Sequence, residues 1–295
     1  MSWSDIMYYF LLCFAAVLYA LAFYSNRNAE RTCSDGINTA ALFSAIVWLE
    51  TLVALCVVIF AAGQKFEFSW FSFLCAVAQG AVMVTFTFLN FKALGAVDLA
   101  KYSMFTMLGG MLVPFFFGII FMGEKLTLWK IICCVLVTFA LWFDGRIGKL
   151  TKRSLGYLIG VFFVNGMFGV VTTLHQRGSA AVASLQFMAL QSAIIFVCAA
   201  LFLLIARAKK GASLNIVKNK KAYGFIALYG VVNSSAELIL LFAIKHVDAS
   251  VQYPIVTGGV IVFSTVISML IGENKNKASL IPVGIAFLGL LCLAL

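Results

Sequence analysis

The sequence predicts an all-α polytopic membrane protein, with ten transmembrane helices built as two inverted five-helix repeats. Three observations carry that expectation. The 295 residues are 63% hydrophobic and only 11% charged, with a mean hydropathy of +1.06, whereas a soluble domain is nearer half apolar and about a quarter charged. The apolar residues fall into runs of bilayer length, because a hydrocarbon core ~30 Å thick needs about 20 residues per helix, and the chain holds ten such runs joined by short connectors. The same ordered set of landmarks also occurs twice, once in each half. A soluble globular domain is excluded by composition, and a membrane β-barrel by the lack of short alternating segments.

The first run, 6–24, has no basic leading segment and ends in Tyr24, Ser25 and Asn26 rather than at a small-residue cleavage site. It reads as a mature helix and not as a signal peptide. The second, 37–61, carries Glu50 near its middle, beside Trp48 and Thr51. The third, 69–91, and the fifth, 128–143, follow from length and apolarity. The fourth, 99–122, opens on Lys101 and Tyr102, contains Gly109-Gly110 and Pro114, and ends at Gly123-Glu124. The sixth, 155–175, bears a stripe of Asn165, Gly166, Gly169, Thr172 and Thr173. The seventh, 183–206, holds Gln186 and Gln191. The eighth, 222–244, repeats Gly230, Asn233, Ser234 and Glu237 at helical spacing. The ninth, 249–271, opens on Gln252, Tyr253 and Pro254, carries Gly258-Gly259 and leads to Gly272-Glu273. The tenth spans 278–295.

The repeat is read from the fourth and ninth runs. Val97-Asp98, Tyr102, Gly109-Gly110 and Gly123-Glu124 recur as Val247-Asp248, Tyr253, Gly258-Gly259 and Gly272-Glu273. The step from Gly-Gly to Gly-Glu is 14 residues in both (109 to 123, 258 to 272). The polar connector at about 144–154 divides the chain into halves 1–148 and 149–295. Because five spans is an odd number, the second half enters the membrane from the opposite side, the architecture of many secondary transporters.

The net charge of +10 (21 basic less 11 acidic residues) reads, in so apolar a chain, as basic loops on the cytoplasmic face and not as a nucleic-acid footprint. Seven of the eight cysteines lie inside apolar runs, where cysteine behaves as a small hydrophobe, and Cys33 alone stands in a connector. No Cys-x-x-Cys pair or Cys/His cluster points to a metal, and no Walker loop points to ATP. No cofactor is expected.

Phe91-Lys92-Ala93-Leu94-Gly95-Ala96-Val97-Asp98, leading through Pro114 to Met122-Gly123-Glu124-Lys125-Leu126-Thr127, resembles a signature of the drug/metabolite transporter superfamily, in its EamA-like ten-helix branch. Phe242-Ala243-Ile244-Lys245-His246-Val247-Asp248 to Ile271-Gly272-Glu273 resembles that family's second half. The chain departs from the family at Lys101, where a small residue is usual, and the second half lacks the counterpart of Pro114. The resemblance implies metabolite or drug transport, with export the commonest activity and import also represented, and both termini cytoplasmic. Counting Lys and Arg by alternate connectors gives 16 on one face and 5 on the other, and the positive-inside rule then places both termini outside.

A charge at mid-membrane costs about 2.5–3.5 kcal/mol on insertion scales, so Glu50 and Glu237 need a reason. Each is either a protonatable group that couples transport or a neutral acid fastening helices. Gly230, Asn233, Ser234 and Glu237 form a polar stripe that must face protein or water. Asn165 is the member of the sixth-span stripe expected to line a pathway, while its glycines serve close packing. Gln186 and Gln191, five residues apart, do not share a face and are read as inter-helix hydrogen bonds. Lys101 either snorkels to the interface or meets a substrate carboxylate. With Tyr102, and with Gln252 and Tyr253 in the partner helix, it stands where inverted-repeat transporters bind their cargo. Gly123-Glu124 and Gly272-Glu273 read as helix caps. The expected function is secondary active transport of a small polar or amphiphilic metabolite, amino-acid- or amine-like, by alternating access with proton coupling. Importers or exchangers of the same superfamily are the alternative; a membrane-embedded enzyme or a sensor ranks below them. A monomer in a plasma (inner) membrane is the default.

Overall fold

The computed structural model describes residues 3–32, 37–94, 96, 99–144, 151–210, 220–270 and 280–292. They form ten α-helices, α1 (Trp3–Thr32), α2 (Ile37–Ala61), α3 (Trp70–Leu94), α4 (Leu99–Phe121), α5 (Leu128–Asp144), α6 (Lys152–Arg177), α7 (Ser184–Lys210), α8 (Lys220–Ala243), α9 (Ala249–Leu270) and α10 (Leu280–Leu291). No strand occurs among the described residues. Each helix overlaps one predicted apolar run, and where a helix is longer than its run, polar end turns account for most of the extra length. α1 continues through Asn28 to Thr32, and α7 to Lys210. Local signals set the visible ends. Thr151 caps α6, with its hydroxyl accepting from the Ser154 N–H at 3.2 Å while Ser154 accepts from the Thr151 N–H at 3.0 Å. Gly123, at φ +68, follows α4 in the left-handed conformation that glycine adopts most easily.

Seven helices are long and apolar enough to cross a membrane, which is the make-up of a multi-pass membrane protein. α3, α5 and α10 fall short for separate reasons. Among the fully described residues the apolar part of α3 runs from Trp70 to Phe86. α5 has 17 residues, about 25 Å at 1.5 Å per residue, and α10 has 12 described ones. Large apolar side chains point outward: Phe60 is 89% exposed and Leu270 82%, a surface that water would not tolerate over so wide an area and that lipid covers.

The helices pack chiefly across the two halves of the chain. α1 lies on α8 and α9, α2 on α7 and α8, α3 on α6 and α7, α4 on α6 and α9, and α5 on α10. Raising every helix number by five, with return to the start after ten, turns α1–α8 into α6–α3, α4–α6 into α9–α1, and α2–α8 into α7–α3. α2–α7, α4–α9 and α5–α10 map onto themselves. Two large apolar cores result, with a small third cluster of Val47 and Ile226 between α2 and α8. One gathers α1, α4, α5, α8, α9 and α10 around Met111, Phe115 and Val137. The other gathers α2, α3, α6, α7 and α8 around Phe187, Met188 and Leu241.

Glycines let the closest pairs approach. A methyl on Gly109 would overlap the backbone of Phe162 in α6, and one on Gly166 would lie 2.6 Å from the carbonyl of Gly109. In the second half, Gly259, the counterpart of Gly110, lies against α1, where a methyl on it would come within 2.7 Å of Ala16. The expected boundary at 148/149 and the motif Gly272-Glu273 lie outside the described residues, as does Cys33. The other seven cysteines are free thiols.

Candidate functional site

The polar stripe of α8 is where predicted site residues meet. Glu237 is 3% exposed, and its Oε1 accepts a hydrogen bond from Nε2 of Gln191 in α7, itself fully buried. Tyr19 of α1 sits close enough to feel the fields of Glu237, Tyr253 and Tyr229. Tyr253, one turn into α9, donates its hydroxyl to the carbonyl of Gly169 at 3.0 Å. The hydroxyl reaches that carbonyl because Gly169 has no side chain; a methyl there would lie 2.9 Å from the Tyr253 oxygen and 3.0 Å from Pro114. The layer therefore joins α1, α4, α6, α7, α8 and α9. Gln252 is fully buried and donates to the Leu240 carbonyl at 3.0 Å, one turn further along α8.

Glu50 belongs to the same stripe, two turns away. Its carboxylate lies over Gly230, where a methyl would be 2.6 Å from Oε2. Next to it Thr51 and Ser234 share a hydrogen bond at 2.5 Å, and Thr51 also donates to the Val47 carbonyl at 2.8 Å. Asn233 is half-buried on the stripe between Gly230 and Glu237. Asn165 sits at the α4–α6 contact, donating to the Thr106 carbonyl at 2.7 Å. It is half-buried, with Gly110 directly against its amide.

Lys101 and Tyr102 are not brought to this layer. They lie in the first turn of α4, and Pro114, which does reach it, is twelve residues on (114 less 102), roughly 18 Å along the axis. The side chain of Lys101 lies outside the described residues. Tyr102 is half-buried. Because α9 meets the C-terminal end of α4 with its own N-terminus, the pairs Lys101-Tyr102 and Gln252-Tyr253 stand at opposite ends of the molecule.

A second polar cluster closes the end where α9 begins. The carboxylate of Glu124 accepts from the N–H groups of Ala249 at 2.8 Å and Ser250 at 2.9 Å, the orphan donors of that helix terminus. The same group pairs with Arg177 at 2.9 Å. Lys130 pairs with Asp248 at 2.8 Å, Arg177 approaches Asp248 at 3.8 Å, and Arg177 also donates to the carbonyls of Ile244 and Val247. Glu124 thus serves as a cap, as expected, but for the partner helix and not its own. Beside it, fully buried His175 is sandwiched between Phe71 and Phe187 and hydrogen-bonded to Ser72.

The spacing of Gln186 and Gln191 held a true signal. Gln186 turns to the Lys65 carbonyl and the Glu67 N–H, while Gln191 turns to Glu237. Tyr19 is a residue that sequence reasoning missed, one of nine tyrosines with no polar neighbour to single it out. Arg177 reads in the sequence only as a loop charge. Among the described residues no three His, Cys, Asp or Glu side chains converge as a metal site needs.

No family model matches this chain and no curated protein matches it. Twenty-nine chains of known structure are similar to it. One of them, described only as "Crystal structure of protein", covers 98% of both chains at 11% identity with a TM-score of 0.78. At that identity the likeness is one of fold.

Proposed function

We propose that the chain is a secondary transporter of the drug/metabolite superfamily's EamA-like kind, its ten helices all spanning the membrane as two inverted repeats. On this reading it moves a small polar or amphiphilic solute outward across a plasma membrane by alternating access, as a monomer, carrying its cargo without transforming it. The packing pattern that returns to itself after a shift of five helices supports the repeat. So do the matching glycine contacts, Gly110 on α6 and Gly259 on α1.

The observation that carries the reading is Glu237, a carboxyl at bilayer depth whose hydrogen-bond partner is a neutral amide. A structural acid in that position is normally paired with a cation. An amide instead serves both protonation states: its N–H donates to the carboxylate, and its oxygen, once the amide turns, accepts from the protonated acid. Gln191 can therefore stay bonded while Glu237 gains and loses a proton. The position of Glu237, where helices of both halves converge, fits a group exposed to one side and then the other as the halves rock.

The test is flux in proteoliposomes. Wild-type protein is expected to move its solute faster under an imposed pH gradient, and Glu237→Gln to lose that acceleration while remaining folded. A Glu237→Gln protein that keeps the full pH response removes Glu237 from the coupling step.

A further inference from the structure

We infer that the solute is a protonated amine and that Glu50, rather than Glu237, is the carboxylate that holds its ammonium group. The inference rests on the transporter reading and divides the two membrane acids by role. It begins with the balance of hydrogen-bond donors and acceptors inside the bundle. Three fully buried glutamines, Gln79, Gln191 and Gln252, direct their amide N–H groups to protein acceptors: Thr172 and the Phe168 carbonyl, Glu237, and the Leu240 carbonyl. The oxygen of each has no hydrogen-bond partner. Turning the amides of Gln79 and Gln252 round would set their oxygens against the Phe168 and Leu240 carbonyls, and that of Gln191 can turn only when Glu237 carries a proton. Of the four buried side-chain atoms among the described residues that lack a partner, three are these acceptors and the fourth is the hydroxyl of Ser250.

Glu50 sharpens the imbalance. Its carboxylate is half-buried, makes no hydrogen bond or ion pair with a described residue, and lies over Gly230 of α8, where no side chain comes between. Asn233, one turn along, likewise bonds to no described residue. Every described lysine or arginine side chain lies in a connector or an end turn: Lys65, Lys125 and Lys245 between helices, Lys92, Lys130, Lys152, Arg153 and Arg177 at helix ends. None stands at the level of Glu50. A carboxylate at bilayer depth with no described cation beside it is costly, and acceptors in want of donors add to the cost.

The complement of such a site is a positive group rich in N–H. A primary ammonium brings one charge and three donors. A zwitterion's carboxylate would find no described cation here, and an alcohol brings one donor and no charge. Glu237 is the poorer ligand of the two acids, being buried to 3% exposure with Gln191 already on it. Glu50 is the open one. The ring pair Phe43–Tyr229, 5.2 Å apart beside Gly230, favours an amine with an apolar body.

The experiment uses purified full-length protein in detergent, in sodium-free buffer at neutral pH. Melting temperature is followed against a series of primary amines from ethylamine to 2-phenylethylamine, with 2-phenylethanol, phenylacetate and sodium chloride as probes of matched size or charge. A saturable rise with the larger amines alone is expected. Glu50→Gln should weaken the apparent affinity on the order of tenfold or more, as loss of a hydrogen bond to a charged group does. Gly230→Ala, which pushes a methyl against the carboxylate without removing it, should weaken it too and serves as the second variant should Glu50→Gln fold poorly. Glu237→Gln should still bind the amine. Equal stabilisation by the alcohol, the acid or sodium overturns the proposal, as does silence across the amine series or wild-type affinity in both variants. Amine binding without flux in liposomes would instead sink the transporter reading and leave the amine site standing.

Discussion

Arg177 holds Glu124 at 2.9 Å while Glu124 also accepts two backbone N–H groups, and the acid is 2% exposed against 24% for the arginine. Removing one member of a buried pair costs about 3–5 kcal/mol. Because Arg177 keeps some contact with solvent and Glu124 keeps its two N–H donors, Arg177→Leu is expected to cost less, about 2–3 kcal/mol, read as a lowered melting temperature in detergent. An unchanged melting temperature would show that the ion pair contributes nothing beyond the cap. At this scale legibility was uneven. Glu50, Asn233 and Glu237 announced themselves because a polar residue inside an apolar run has few reasons to be there. Tyr19 and Arg177 did not. A tyrosine in a membrane helix is ordinary by composition, and an arginine after a span looks like any loop charge until the fold sets an acid against it.

At the scale of the helix, the glycine pairs read from the sequence as aids to close packing have a consequence that can be measured. Gly109→Ala places a methyl into the Phe162 backbone, which neither chain can vacate, and overpacking of that kind costs about 1–3 kcal/mol. Gly156 lies in the same α6 helix that Gly109 contacts, and a methyl added to it would meet nothing within 4 Å. Gly156→Ala should therefore be neutral or stabilise by about 0.5–1 kcal/mol through backbone entropy. Chemical denaturation of the two variants separates the cases, and similar losses in both would mean that helix contact is not what the glycines serve. Existence and order of the helices were legible because apolar runs of bilayer length leave little alternative. Their ends were less so: Asn28 and Lys210 are polar enough to look like loop, yet a helix satisfies its own backbone wherever it runs. The sequence places Tyr253 and Pro254 near the start of α9, but says nothing of which helix that turn would meet. That partner is Gly169 of α6, reached through the neighbouring Tyr253.

For the whole molecule, the connectors at 62–69, 122–127, 178–183 and 244–248 gather at one end. Ser69 donates to the Ala180 carbonyl at 2.6 Å, Glu124 reaches Ala249 and Ser250, and Tyr8 near the start of α1 stacks on His246 at 4.4 Å. This end carries the smaller share of lysine and arginine, so the positive-inside rule predicts that it faces away from the cytoplasm. Single cysteines placed at Gln64, Lys125, Ser179 and Lys245, in a chain stripped of its own eight, should label in intact cells with an impermeant maleimide. Thr151→Cys should label only after permeabilisation. The reverse pattern would agree with the orientation that the family resemblance implies. Chain-wide pairing was beyond the reach of the sequence. A repeat can be counted along the chain, but nothing in residues 97–124 and 247–273 says that α1 will lie on α8 and α3 on α6.

That crosswise pairing bears on how the molecule is made. While the ribosome is still extending the sixth helix, α1 and α2 are already in the bilayer without the helices that will cover them, and the bare backbone at Gly109 faces lipid or an insertion chaperone. The nascent amino-terminal quintet is an unfinished object whose inner surfaces wait for chain not yet synthesised.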